Sequence, residues 1–193
     1  MNDPISIILV LAQVLNNLEI KYWIGGSIAS SVQGISRTTN DIDLVVQLTA
    51  QQANPLYNAL KESFYLDDLA IRRAASTKGS FNALHLESLF KVDFYVADSD
   101  PFTAEQLNRR QMVNLRPDSA QEVFLSSPED TILSKLRWFR KGGETSDRQW
   151  SDVVGVIKVQ GSGLDRDYLG KWANPLGVGD LLPRAFDDAD AKS

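Results

Sequence analysis

The chain has no cysteine and a single histidine, His85. The first absence excludes disulfides, thiolate zinc sites and a cysteine nucleophile. It fits a reducing cytoplasm, where the protein is expected to act. With one imidazole, a histidine metal site or a Ser-His-Asp triad has only His85 to build on, and a histidine in that strand context reads as a satisfied structural residue. Long apolar runs are also missing. The run Ile5 to Ala12 is too short to span a membrane, and no Lys or Arg precedes it as in a signal peptide, so no membrane partner is expected. An excess of positive charge is lacking too. The net charge of −5 argues against sequence-independent duplex binding, which wants a basic surface.

What remains is ample for a core. The 193 residues are 43% hydrophobic and 9% aromatic, enough for one compact domain or for one domain plus a helical appendage, and too apolar for a disordered chain. No internal repeat or low-complexity segment interrupts it.

The apolar spacing gives an element order. Asp3-Pro4 opens a helix over residues 4–18, with Ile7, Ile8, Leu11, Val14, Leu15 and Leu18 at helical intervals. Lys21 to Ile24 is a strand, Ser27 to Gln33 a short helix ending at Gly34, and Ile42 to Val46 a β-branched strand. Residues 50–63 read as helix with a break at Pro55, and residues 67–75 as another helical piece. Phe81–Leu86 and Phe90–Val96 are strands around a Glu87-Ser88 turn. Thr103–Arg110 is helical, and 111–115 and 121–125 are short strands. Ser127-Pro128-Glu129-Asp130 then opens a helix over 128–141. Helices over 146–160 and 165–173 follow, and Asp187 to Ser193 reads as a frayed tail. The expected class is α/β (α+β): a mixed sheet flanked by helices over 1–126, a helical region over 127–186, and a disordered end over 187–193.

The chemistry is concentrated between Tyr22 and Val46. A strand runs into Gly25-Gly26-Ser27 and a helix begins at once. Glycines at such a junction let backbone approach a ligand, and the helix start directs free N–H groups and its positive dipole end to the same place. Such turns are also common for geometric reasons alone. Beyond them comes Asp41-Ile42-Asp43-Leu44-Val45-Val46. Positions i and i+2 of a strand share a face, so Asp41 and Asp43 are presented together. Two neighbouring carboxylates repel unless a cation lies between them, and Mg²⁺ commonly binds one or two carboxylates plus substrate phosphates. Asp93, inside the apolar run Lys91 to Val96, is a third carboxylate in a similar setting. Were its strand next to the first, the three could hold two metals for in-line displacement at phosphorus.

These motifs resemble the nucleotidyltransferase superfamily typified by DNA polymerase beta. More narrowly, Gly25-Gly26-Ser27, Arg37-Thr38-Thr39-Asn40-Asp41-Ile42-Asp43 and Pro128-Glu129-Asp130 through Lys135 look like bacterial minimal and abortive-infection-type nucleotidyltransferases, over roughly residues 20–155. The resemblance implies NTP, such as ATP, as substrate and Mg²⁺ (or Mn²⁺) as cofactor. It implies phosphate contacts from Gly25, Gly26 and Ser27, with Lys135 approaching phosphate or acceptor from the helical region. Asp41 and Asp43 would be metal ligands, and Asp93 would hold a second metal and help deprotonate the acceptor hydroxyl. Many active members carry Gly-Ser as the phosphate pair, whereas here two glycines precede Ser27. The acceptor would be tRNA, a protein or a small molecule.

Lys135 flanks the buried stripe of its helix (Ile132, Leu133, Leu136, Phe139), where a lysine can snorkel. With Arg137, Arg140, Lys141 and Arg148 it forms a basic cluster that reads as a solvated face or as a contact for a polyanionic acceptor. Arg37 and Thr39 border the metal position, and Asp152 has Arg148 one turn earlier as an exposed partner. A dinucleotide fold is excluded, because G-x-G-x-x-G is absent and the aspartates precede their apolar run. The competing reading from another class is an inert nucleotide- or partner-binding regulator on the same fold, such as a toxin–antitoxin component with a cognate partner protein.

Overall fold

A computed structural model describes residues 3–191. The chain divides into two compact units, Met1–Gly25 with Thr39–Leu125, and Gly26–Thr38 with Ser126–Ser193.

The first unit is a sheet with helices. Among the described residues its strands are β1 (Tyr22–Ile24), β2 (Asp41–Val46), β3 (Phe64–Tyr65), β4 (Ser80–His85), β5 (Lys91–Val96), β6 (Gln111–Val113) and β7 (Val123–Leu125). They lie in the order β3-β4-β5-β2-β1-β7-β6. Strands β2 and β5 run parallel, and β1 is antiparallel to β2. The alternation of β2 is complete: Ile42, Leu44 and Val46 are buried while Asp41, Asp43 and Val45 are half-buried. Val92 and Phe94 of β5 continue the apolar face, and Phe81 of β4 stacks on Phe94 at 4.6 Å between ring centroids. Helix α4 (Asp68–Thr77) packs on β4 and β5, α3 (Ala50–Leu60) on α4, and α1 (Pro4–Asn17) on α3. Asp3 caps α1 as its sequence indicates. The unit is completed by α5 (Pro101–Arg109).

Pro55 does not break its helix. Helix α3 runs through it. The carbonyl that loses its partner belongs to Gln51, in the exposed first turn, where water can satisfy it. The start of the helix is fixed by Gln52, whose Oε1 accepts from the Thr49 N–H at 3.2 Å.

The second unit is helical among its described residues: α2 (Gly26–Gln33), α6 (Pro128–Lys141), α7 (Asp147–Gln160), α8 (Arg166–Ala173) and α9 (Leu181–Ala191). Although it precedes β2 in sequence, α2 packs against α6 and α7. The close approach is made by glycine. A Cβ on Gly34 would lie 2.7 Å from the Val156 nitrogen and 2.8 Å from the Gly155 carbonyl carbon. Those are backbone atoms that cannot swing aside. Gly34→Ala is therefore expected to cost about 3 kcal/mol, the upper part of the overpacking range. Urea denaturation of the two proteins measures it, and a loss below roughly 0.5 kcal/mol, the size of an ordinary surface change, would show that the contact can relax.

The Ser127-Pro128-Glu129-Asp130 segment opens α6 with buried, satisfied acids. Ser127 Oγ caps the Asp130 N–H, Asp130 Oδ1 accepts from the Tyr168 hydroxyl at 2.7 Å, and Glu129 Oε1 accepts from the Asp165 N–H at 2.9 Å. This motif knits α6 to α8. The expected frayed end is also revised. Residues 187–191 belong to α9, where Ala189 is buried and Asp188 accepts from the Trp150 indole N–H at 2.8 Å. Lys192 and Ser193 lie outside the described residues.

Candidate active site

The sheet of the first unit carries an acidic face. The parallel register of β2 and β5 sets Asp43 opposite Asp93 and Asp41 opposite Lys91. Asp41 and Asp43 share one side of β2, away from its buried side chains. All three expected carboxylates are thereby brought to adjacent strands on one face. Asp93 is buried, and its Oδ2 lies 2.8 Å from the Lys91 Nζ. Thr39 Oγ1 donates to Asp41 Oδ1 at 2.7 Å.

Two residues on this face escaped the sequence reading. Lys91 is held protonated, its pKa pushed up first by the hydrogen bond to Asp93, against the opposing effect of burial, and then by the charges of Asp93, Asp41 and Asp43. Tyr95, two residues beyond Asp93, has its phenol pushed up to about 12. Burial is the largest cause, followed by the charges of Asp43, Asp93 and Asp41 and a hydrogen bond with Asp43. The phenol stays protonated and supports the Asp43 carboxylate. The available signal was the i, i+2 spacing that flagged Asp41 and Asp43, since Lys91, Asp93 and Tyr95 repeat it.

Gly25 adjoins this face. Its N–H donates to the Asp43 carbonyl at 3.0 Å, extending the β1–β2 ladder by one residue. A Cβ there would meet nothing within 4 Å, so no neighbour demands glycine and the space above it is open. The next residue does require it: Gly26 has φ of 56°, in the left-handed region.

In the second unit, Ser27 stands in the first turn of α2. Its Oγ accepts from Arg37 Nη2 at 2.8 Å, so the hydroxyl proton remains available to an incoming acceptor. Arg37 is in turn gripped by Asp152 through Nε at 2.7 Å and Nη2 at 2.8 Å. Lys135 is buried, with its Nζ 2.6 Å from Asp152 Oδ2. Two sequence readings change here. Lys135 is enclosed rather than snorkelling at the helix flank, and Asp152 is buried between Arg37 and Lys135 rather than paired with Arg148 at the surface. Burial works to raise the Asp152 pKa, but the hydrogen bonds and charges of Arg37 and Lys135 outweigh it and hold the carboxyl below its ordinary value. His85 is a satisfied residue at the end of β4, as expected, its Nδ1 bonded to Ser88 Oγ at 2.8 Å and its ring set against Phe64.

The donor set suits a hard divalent cation. Asp41 and Asp43 supply carboxylate oxygens at the i, i+2 spacing. Among the described residues, no three His, Cys, Asp or Glu side chains gather closely enough to hold a metal by themselves. A cation on this face would therefore complete its shell with further oxygens, from water or from a ligand such as a triphosphate. No described helix is long and apolar enough to cross a membrane.

No protein-family model and no curated protein sequence matches this chain. Solved structures do resemble it. An antigenic nucleotidyltransferase-like protein from Paracoccidioides brasiliensis is 20% identical, with 94% of this chain and 91% of that one covered at a TM-score of 0.56. The antibiotic-resistance factor ANT(2'')-Ia, solved with adenylyl-2''-tobramycin, is 14% identical over 89% of this chain and 95% of its own, at a TM-score of 0.57. The lincosamide antibiotic adenylyltransferase LnuA, lincomycin-bound, is 13% identical over 81% and 98%, at 0.55. At these identities the likeness shows the fold alone, one that this chain shares with those nucleotidyltransferase structures.

Proposed function

We propose that this chain is a metal-dependent nucleotidyltransferase that moves the NMP part of an NTP to a hydroxyl acceptor. The observation that carries the reading is the register of β2 and β5, which sets Asp43 opposite Asp93 with Asp41 two residues away on the same face. Gly25, bonded to the Asp43 carbonyl, begins the glycine turn beside those carboxylates.

In this reading Gly25, Gly26 and the first turn of α2 seat the β- and γ-phosphates, and Ser27 donates its hydroxyl proton to a phosphate oxygen. Arg37 orients Ser27, with Asp152 and Lys135 holding Arg37 in place. Lys135 then serves the phosphate site through Asp152 and Arg37. Asp41 and Asp43 hold the divalent cation that arrives with the nucleotide. When bound, that cation neutralises phosphate charge and polarises the reacting phosphoryl group. Asp93 faces the acceptor and takes its proton as the hydroxyl oxygen attacks the α-phosphorus. The bond from the α-phosphorus to the bridging oxygen breaks, and pyrophosphate leaves with the electron pair. The solved relatives named above as an adenylyltransferase and as a complex with an adenylylated antibiotic favour a soluble small-molecule acceptor as the first to test. A tRNA or a protein hydroxyl completes the panel.

The first test is binding. Mg²⁺ and NTP together are expected to raise the melting temperature more than either alone. At a hundredfold excess over the dissociation constant the gain is about 2.7 kcal/mol, which for a chain of this length is roughly 5–10 °C. Melts that coincide in all conditions would remove the nucleotide site. Four α-labelled NTPs, each offered with Mg²⁺ to aminoglycosides, lincosamides, tRNA and a cell lysate, then assign the base and the acceptor.

A further inference from the structure

The acidic face carries its own cation. Lys91 lies two residues before Asp93 on β5 and opposite Asp41 on β2. Residues two apart on a strand are ~6.6 Å apart, and directly paired residues on neighbouring strands are ~5 Å apart. Asp41, Asp43, Asp93 and Lys91 therefore stand at the corners of a small rectangle on one side of the sheet. The Lys91 ammonium is bound to one corner, with Nζ 2.8 Å from Asp93 Oδ2. Its side chain remains 50% exposed while that of Asp93 is 12% exposed. An ion pair with a half-exposed lysine adds little to stability. Its position matters more for charge. Three carboxylates and one ammonium leave a formal charge of −2, which a single divalent cation cancels.

We propose that Lys91 is the resident cation of this face. It competes with divalent metal for the Asp93 carboxylate, so the site takes up one divalent cation with the nucleotide, on Asp41 and Asp43, and none on Asp93. Lys91 then supplies the fixed positive charge on the acceptor side that a second metal supplies elsewhere. The competition for the carboxylates stands on the geometry of β2 and β5. Only the count of metals per nucleotide rests on the nucleotidyltransferase reading.

The experiment uses the 193-residue chain and Mn²⁺, whose free ion is followed by electron paramagnetic resonance. In the first arm Mn²⁺ is titrated alone into wild type, Lys91→Met and Lys91→Arg. Lys91→Met is expected to bind at least about tenfold more tightly, the low, water-screened end of removing a unit charge beside a divalent cation. Lys91→Arg keeps the charge and is expected to stay within about threefold of wild type by the same reasoning. In the second arm a non-hydrolysable NTP analogue is present. Wild type is expected to take one Mn²⁺ per bound analogue and Lys91→Met two. The proposal is overturned if Lys91→Met binds Mn²⁺ no more tightly than wild type, or if wild type takes two Mn²⁺ per analogue. If wild type binds no analogue, the nucleotidyltransferase reading fails, and the Mn²⁺-alone comparison then decides the role of Lys91 by itself. Circular dichroism of Lys91→Met checks that it is folded. Should it not be, Lys91→Gln is put through the same titrations.

Discussion

Asp152→Asn is expected to destabilise the protein by about 3–5 kcal/mol, the cost of removing one partner from a buried ion pair. Asp152 is buried beneath two cations, Lys135 at 2.6 Å and Arg37 at 2.7 Å. An asparagine keeps the volume and one acceptor oxygen, but it leaves the enclosed Lys135 ammonium without its counter-charge. For a chain of this size the loss corresponds to a fall of roughly 10 °C or more in melting temperature. Lys135→Met is expected to cost less, because Asp152 still has Arg37. Acid supplies a second readout. The folded-state pKa of Asp152 is depressed, so its contribution is present above the unfolded-state value of about 4 and is lost as pH falls through the lower folded value. The gap between wild type and Asp152→Asn should narrow below about pH 4. A melt for Asp152→Asn within about 2 °C of wild type at pH 7, corresponding to under about 1 kcal/mol, would show that water reaches Lys135 and that the pair does not hold Arg37.

That network marks the boundary of what the linear sequence discloses. Asp41, Asp43 and Asp93 were legible because a strand alternates with period two and each aspartate interrupts an apolar run. The face is written locally, and so is the helix cap at Ser127. The register of β2 against β5 is not local, since nothing in either segment says that Asp43 pairs with Asp93 rather than with Lys91 or Tyr95. Lys91 and Tyr95 repeat the spacing of the aspartates, but a lysine at a strand start and a tyrosine in an apolar strand are also what ordinary β-structure contains. The partner of Asp152 was misread for a related reason. Arg148 lies at the i, i+4 distance that favours a helical pair, whereas Arg37 is 115 positions away in sequence and reaches Asp152 only because α2 packs on α7. Helix α9 was hidden by composition. Leu181, Leu182, Ala185 and Ala189 are its buried residues, but Pro183 and three aspartates dilute that stripe, so that its end from Asp187 reads as a tail. Proline is tolerated there because the first turn of a helix has no N–H partner to lose.

Asp93→Asn is expected to leave Mg²⁺–NTP affinity within a few-fold of wild type and to lower transfer by at least about 10²-fold, the lower range for loss of general-base assistance. The argument starts from which strand each carboxylate stands on. Asp41 and Asp43 are on β2, and the Gly25 N–H bonds the Asp43 carbonyl, so in the proposed reading these two would serve the end of the site that seats the triphosphate. Asp93 is on β5, one ladder position across from Asp43, and its charge is already engaged by Lys91 at 2.8 Å. Little nucleotide affinity should depend on it. An asparagine can still accept the hydrogen bond from Lys91, so the geometry of β5 survives while the capacity to take a proton is lost. Aligning and deprotonating the acceptor hydroxyl is then what suffers. Affinity by titration and product by label incorporation must be measured on one preparation of each protein. Asp41→Asn is the comparison, and it is expected to weaken Mg²⁺–NTP binding directly. If Asp93→Asn loses binding as severely as Asp41→Asn, the three aspartates act as one metal cluster and the division between nucleotide side and acceptor side is wrong. If wild type binds Mg²⁺–NTP, transfers to no acceptor, and is unchanged by Asp93→Asn in both measurements, the chain is a nucleotide-binding regulator on this fold. A selective loss of transfer, with binding retained, would place the proton acceptor at Asp93.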